Sequence, residues 1–126
     1  MMNSEQAMRE YELGGGITAR LRDVTRHYFG GYFHVRIEVS AEIPLSATPF
    51  SGPEEYQAAL RLLGGQIHFR RILEKMAVPE GDVTAVRQGL LEAFDANVLP
   101  YLSRPDFPGR FMRSEYVKRL KSPARR

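Results

Sequence analysis

The chain predicts an α+β fold, an antiparallel sheet with helices on one face, and three observations carry that reading. Phe33 to Ile43 alternates apolar and polar residues at every step, which is the period of a half-buried strand. A second alternating stretch starts at Ile17 and is joined to the first through Gly30-Gly31, a pair that supplies positive φ to a tight hairpin. Beyond Ser51 the apolar residues recur at spacings of three and four, the period of helices.

In chain order, residues 1–13 are ambiguous between a helical turn at Gln6 to Tyr11 and a strand beginning at Tyr11, and Gly14-Gly15-Gly16 breaks whatever precedes it. Ile17 to Tyr28 reads as the first strand, with Ile17, Ala19 and Leu21 set against Thr18, Arg20 and Arg22. Counting back from the Gly30-Gly31 turn pairs Tyr28 with Phe33, His27 with His34 and Val24 with Ile37. Continued unchanged, that register opposes Asp23 to Glu38. One extra residue instead brings Arg22 to Glu38, Leu21 to Val39 and Ala19 to Ala41, so a β-bulge is expected at Asp23-Val24. Arg26 then lands on the apolar face beside Val35 and must snorkel.

Ser51-Gly52-Pro53-Glu54-Glu55 starts a helix, with proline early and acids in the first turn. The reading carries it to Ala77, with one stripe of Tyr56, Leu60, Leu63 and Ile67 and a rotated one of Phe69, Ile72, Leu73 and Met76, the change falling after Gly64-Gly65. Asp82 is placed as the N-cap of a second helix carrying Val83, Val86, Leu90, Ala93 and Phe94, which Pro100 ends or kinks. The short link between the two predicts an antiparallel helical hairpin. Ser103 to Gly109 is a loop and Phe111 to Leu120 a short C-terminal helix. The order is β-β-α-α-α, with a long hairpin packed on the helical one. A lone two-stranded ribbon is marginal and leaves both edges open, so further pairing is expected, with residues 10–16 or with a second copy; a homodimer through the sheet is the preferred form.

At 126 residues the chain is expected to be a single domain, with 1–16 a candidate flexible N-terminal segment and 121–126 a basic tail. It has no cysteine, which removes disulfides, thiolate nucleophiles and all-cysteine zinc sites and suits a reducing compartment. No apolar run approaches the roughly 20 residues that span a bilayer, and residues 1–12 lack the basic and apolar regions of a signal peptide, so a cytoplasmic protein that does not engage membranes is expected. The net charge of +3 is uneven: residues 101–126 carry eight Arg/Lys against Asp106 and Glu115, and the remainder is mildly acidic.

Four candidate surfaces follow. The polar sheet face collects Thr18, Arg20, Arg22, Thr25, His27, His34, Arg36, Glu38, Ser40 and Glu42; its guanidinium forks suit an anionic small molecule, while its carboxylates can neutralise them. The aromatic turn, Tyr28, Phe29, Tyr32 and Phe33, can dock a protein partner. His27 and His34 face each other in the expected register, about 5 Å apart at Cβ, and with a carboxylate such as Glu38 could assemble a metal or catalytic site. Arg113, Lys118, Arg119 and Lys121 on the last helix could contact nucleic acid, although no recognised nucleic-acid motif accompanies them. No spacing unites a nucleophile, base or metal cluster, and no cofactor is implied. The expected role is therefore a homo-oligomeric binding module that works through the polar face (Arg20, Arg22, His27, Tyr32, His34, Arg36, Glu38) and the aromatic turn. Nucleic-acid binding is the first alternative and a small enzyme or metal site the second.

Overall fold

The computed structural model describes residues 8–122. It is α+β, as the patterning predicts, with five antiparallel strands and helices. The strands are β1 (Arg9–Gly14), β2 (Ile17–Asp23), β3 (Arg26–Phe29), β4 (Tyr32–Pro44) and β5 (Gln66–Pro79), and the helices are α1 (Pro53–Leu63), α2 (Val83–Ala93), α3 (Leu99–Leu102) and α4 (Phe107–Lys121). Two compact units are distinguished among the described residues, 8–41 with 69–103, and 42–68 with 104–122. No helix among the described residues is long and apolar enough to cross a membrane.

β4 is the centre of the sheet. β2 and β3 pair in sequence with one of its edges and β5 with the other, while β1 pairs with β2. Residues 9–14 thus supply one of the two sources of extra pairing that the open hairpin edges called for. Gly14, Gly15 and Gly16 all have positive φ (90°, 62° and 77°), the left-handed region that side chains avoid, and this lets the chain reverse between β1 and β2.

The register corrects the expected bulge. Arg22 faces Glu38, Leu21 faces Val39 and Ala19 faces Ala41 as predicted, but the same register runs through Asp23↔Ile37, Arg26↔His34 and His27↔Phe33. The shift comes only between His27 and Phe29, at the turn. What happens at Asp23 to Thr25 is a side-chain substitution in the ladder. Val24 N–H still donates to Arg36 O (2.9 Å), but Arg36 N–H donates to Thr25 Oγ1 (3.1 Å), and Asp23 Oδ1 accepts from Thr25 N–H (3.0 Å). Counting from the turn placed the irregularity in the wrong half of the strand because a hydroxyl can stand in for a carbonyl without adding a residue. Arg26 therefore lies on the polar face opposite His34, and its predicted conflict with Val35 does not arise.

The predicted helical hairpin is also corrected. α1 stops at Leu63, where Gly64 turns left-handed (φ 84°) and donates its N–H to Leu60 O (2.9 Å). Residues 66–79 are β5, where the helical reading continues to Ala77. The rotated stripe after Gly64-Gly65 marked a change from helix to strand, and Ile67-His68-Phe69-Arg70 carries the alternation. Leu45 N–H donates to Gly65 O (2.9 Å) at one end of β5, and Glu80 N–H donates to Gly31 O (3.0 Å) at the other.

In the first unit the apolar face of the sheet buries Ile17, Ala19, Leu21, Val35, Ile37, Val39 and Ala41, and the helical segment adds Leu91, Phe94, Val98 and Leu102. The attachment is specific. The Phe94 ring lies 5.2 Å from that of Tyr11, whose hydroxyl donates to Asp95 Oδ1 (2.8 Å), and Arg87 reaches Asp23 (2.7 Å). Pro100 does not end the helix. Residues 94–98 widen to a π turn in which Leu99 N–H donates to Phe94 O, and α3 continues with Pro100 in its first turn, where a missing N–H costs nothing. Asp82 does stand at the N-cap position of α2, after a 3₁₀ turn, but its side chain makes no capping bond. In the second unit Phe50, Ala59, Phe107, Met112 and Tyr116 are buried, with Phe50 and Tyr116 edge to face at 5.6 Å.

Phe94 is fully buried where the helix meets β1. Phe94→Ala is expected to cost about 3–5 kcal/mol through lost burial and the cavity left behind, read as a lowered urea midpoint at unchanged m-value.

Candidate functional site

The polar face of the sheet is built by alternation. Residues 34, 36, 38, 40 and 42 of β4 point away from the buried row 35, 37, 39, 41 and 43. Neighbouring strands present their own polar residues beside them, and the result is a chain of opposite charges. Glu10 of β1 receives Arg20 of β2 (3.2 Å). Glu38 of β4 lies between Arg22 of β2 (3.9 Å) and Arg70 of β5, which donates to it. Glu74 of β5 receives His34 Nε2 (2.7 Å) and lies 3.3 Å from Arg36 Nε. Arg36 Nε is buried and not aligned for a hydrogen bond, so this last contact is an ion pair by distance alone.

Of the residues that sequence reasoning assigned to this face, Arg20, Arg22, His34, Arg36 and Glu38 lie on it, each with a partner from a neighbouring strand. The guanidinium forks that an anionic ligand would use are largely committed to carboxylates. Two members of this charge chain, Arg70 and Glu74, were missed by the sequence reading because residues 66–77 were read as helix.

The histidine pair does not form. In the observed register His27 opposes Phe33 and His34 opposes Arg26, so the two rings leave opposite faces. His27 packs edge-on against Phe33 at 5.3 Å and its Nε2 donates to Gly30 O, bracing the turn. His34 is only 8% exposed and belongs to the Glu74 contact. No group of three or more His, Cys, Asp or Glu among the described residues is arranged to hold a metal ion.

The aromatic turn divides otherwise than alternation from the predicted register suggests. Tyr28, Phe29 and Tyr32 are all exposed, at 53%, 73% and 46%, and Phe33 is half-buried. Tyr28 sits at the register shift and does not turn toward the helices.

α4 begins at Phe107, four residues before the predicted start, with Pro108 in its first turn. Its cations have separate duties. Arg113 donates to Glu55 (2.9 Å) and Pro49 O (3.2 Å) and lies over the Phe50 ring, and Arg119 donates to Leu62 O in the last turn of α1. Lys118 pairs with Glu115 (3.0 Å), and Lys121 has no ion-pair partner among the described residues. Two of the four residues nominated for nucleic acid, Arg113 and Arg119, thus tie α4 to α1, whose acidic start the sequence showed without showing its partner. Arg125 and Arg126 of the basic tail lie outside the described residues.

Searched against family models, curated proteins and solved structures, the chain matches none of them.

Glu55 accepts the Ser51 backbone N–H (2.7 Å) and the Arg113 guanidinium, and in that order these hold its carboxyl below the ordinary value of 4.5. A depressed folded-state pKa contributes stability that is present above the unfolded value and lost as pH falls through the folded one. Glu55→Gln should therefore lower the urea midpoint at pH 7, and the gap from the parent should close in acid below the ordinary carboxylate range.

Proposed function

We propose that this chain is a homodimeric binding module, its sheet continued across a two-fold axis at β5, with the aromatic turn as the surface offered to a protein partner. The observation that carries the reading is the edge formed by β5. This strand is 14 residues long and pairs only with β4 among the described residues. Long open edges invite pairing with another chain.

The side chains along β5 favour a second copy as the occupant. His68, Arg70 and Glu74 reach the polar face of β4, through Glu42, Glu38 and His34, so Ile72 alternates onto that charged face as well. An antiparallel two-fold pairing keeps each face on its own side, so the axis passes through a residue. With Ile72 on the axis, Ile72 meets its copy and Arg70 faces Glu74 of the partner subunit on both sides of it. Apolar contact at the centre is then flanked by two reciprocal opposite-charge pairs, an isologous arrangement. Placing Leu73 on the axis instead opposes Arg71 to a lysine, which is unfavourable. The Ala77 backbone at φ 55° interrupts regular extension toward the strand's end and confines pairing to its middle.

The aromatic turn supports the second part of the reading. All four residues of β3 are exposed, and three large rings cluster around Gly30-Gly31, a composition typical of interface centres.

Analytical ultracentrifugation of the full chain at tens of micromolar should give a dimer. Ile72→Lys, which sets two ammonium groups on the axis, should give a monomer with an unchanged far-UV spectrum, while Phe29→Ser should leave the dimer intact. A parent chain that sediments as a monomer would overturn the reading, as would an Ile72→Lys variant that stays dimeric.

A further inference from the structure

Within the second unit a groove of about 930 Å³ opens along one side of α4 against the segment 46–49. That volume lies in the range of small-molecule sites, roughly 300–1,000 Å³. Its floor is apolar, from Pro49, Pro105, Pro108, Met112 and Val117. At Gly109 the helix and the segment lie close together, a Cβ built there standing 3.4 Å from the Pro49 ring carbons. Its rim is cationic, and the cations differ in availability. Arg113 is held by Glu55 and Pro49 O. Arg110 is 76% exposed, 3.4 Å from Asp106, and Lys118 is 70% exposed beside Glu115. Lys121 has no ion-pair partner among the described residues. Val117, Lys118 and Lys121 lie within one turn of each other, so two ammonium groups and an apolar side chain face the same end of the groove.

Asp106 engages the cations of the other end. Burial raises its carboxyl, but Arg104 and Arg110 outweigh burial and hold it below its ordinary value, so it is anionic at neutral pH. It is the one carboxylate on the lining. Arg104 and Arg110 both engage it, and Arg113 and Lys118 are likewise paired, so the lining cation without an ion-pair partner among the described residues is Lys121, at the opposite end.

From this the geometry points to a free, single-chain amphiphilic anion as the ligand: a medium-chain carboxylate whose head lies at Lys118 and Lys121 and whose chain runs over Val117, Met112 and Pro49. The uncommitted Lys121 fixes its direction, and the apolar floor supplies affinity in proportion to chain length.

The test is isothermal titration calorimetry on the full chain with octanoate, decanoate and dodecanoate, each below its critical micelle concentration. Decanol, anionic vesicles and a single-stranded oligonucleotide are the comparison probes. Saturable one-to-one binding is expected, tightening about threefold to fourfold per added CH₂ and far stronger for decanoate than for decanol. The exposed pair Lys118→Glu/Lys121→Glu should weaken decanoate at least about tenfold while decanol is unaffected. Val117→Asp, checked for fold by circular dichroism, should abolish the chain-length gradient. The proposal is overturned by absence of saturable heat, by decanol binding as tightly as decanoate, by indifference to the lysine pair, or by binding confined to vesicles or to the oligonucleotide. The site stands on α4 and not on β5, so none of these outcomes bears on the dimer.

Discussion

The rest of the structure depends on β4 being usable on both faces and both edges. One face buries Val35, Ile37, Val39, Ala41 and Ile43 almost completely, and the other meets charges from β2 and β5. One edge takes β2 and β3, the other β5. Burial of the apolar row supplies the driving force, several kcal/mol over five side chains. The polar row contributes little stability, because partly exposed ion pairs are worth about 0–1 kcal/mol each. Its importance lies in specification.

Much of this was legible and some was not, for identifiable reasons. Alternation at 33–43 revealed β4, its buried row and its pairing with β2 from Ala19 to Arg22, because period 2 with strong apolar contrast admits one reading. The fate of residues 66–77 was not legible in the same way. Phe69, Ile72, Leu73 and Met76 satisfy a helical spacing as well as a strand, and β5 is an edge strand whose exposed Arg71 and Lys75 blur the alternation. The discriminating signal was Gly64-Gly65, where left-handed backbone stops a helix more readily than it kinks one.

The candidate site was legible as composition but not as chemistry. Sequence counts Arg113, Lys118, Arg119 and Lys121 as four like cations, yet two are consumed in tying α4 to α1. Glu55 and Leu62, which consume them, lie 58 and 57 positions away along the chain, beyond any local pattern. The facing histidines failed for a related reason. A one-residue change of register moves every side chain to the other face, and the register at the turn depended on where one extra residue was absorbed.

Alternation excludes one-residue slips but tolerates two-residue slips, which keep each side chain on its face. Here the charges decide. Sliding β2 by two residues in one direction opposes Arg22 to Arg36. Sliding it in the other sets Arg22 against Ser40 and dissolves the Arg22–Glu38–Arg70 triple, while carrying Asp23 away from Arg87 on α2. Each alternative loses several favourable contacts at once or gains a like-charge pair, so weak interactions add up to a single register. The same logic extends to the edge. A face whose charges are already paired has little to offer a free ion, and Ile72, uncharged between Arg70 and Glu74, is where the proposed second copy would meet the least electrostatic opposition.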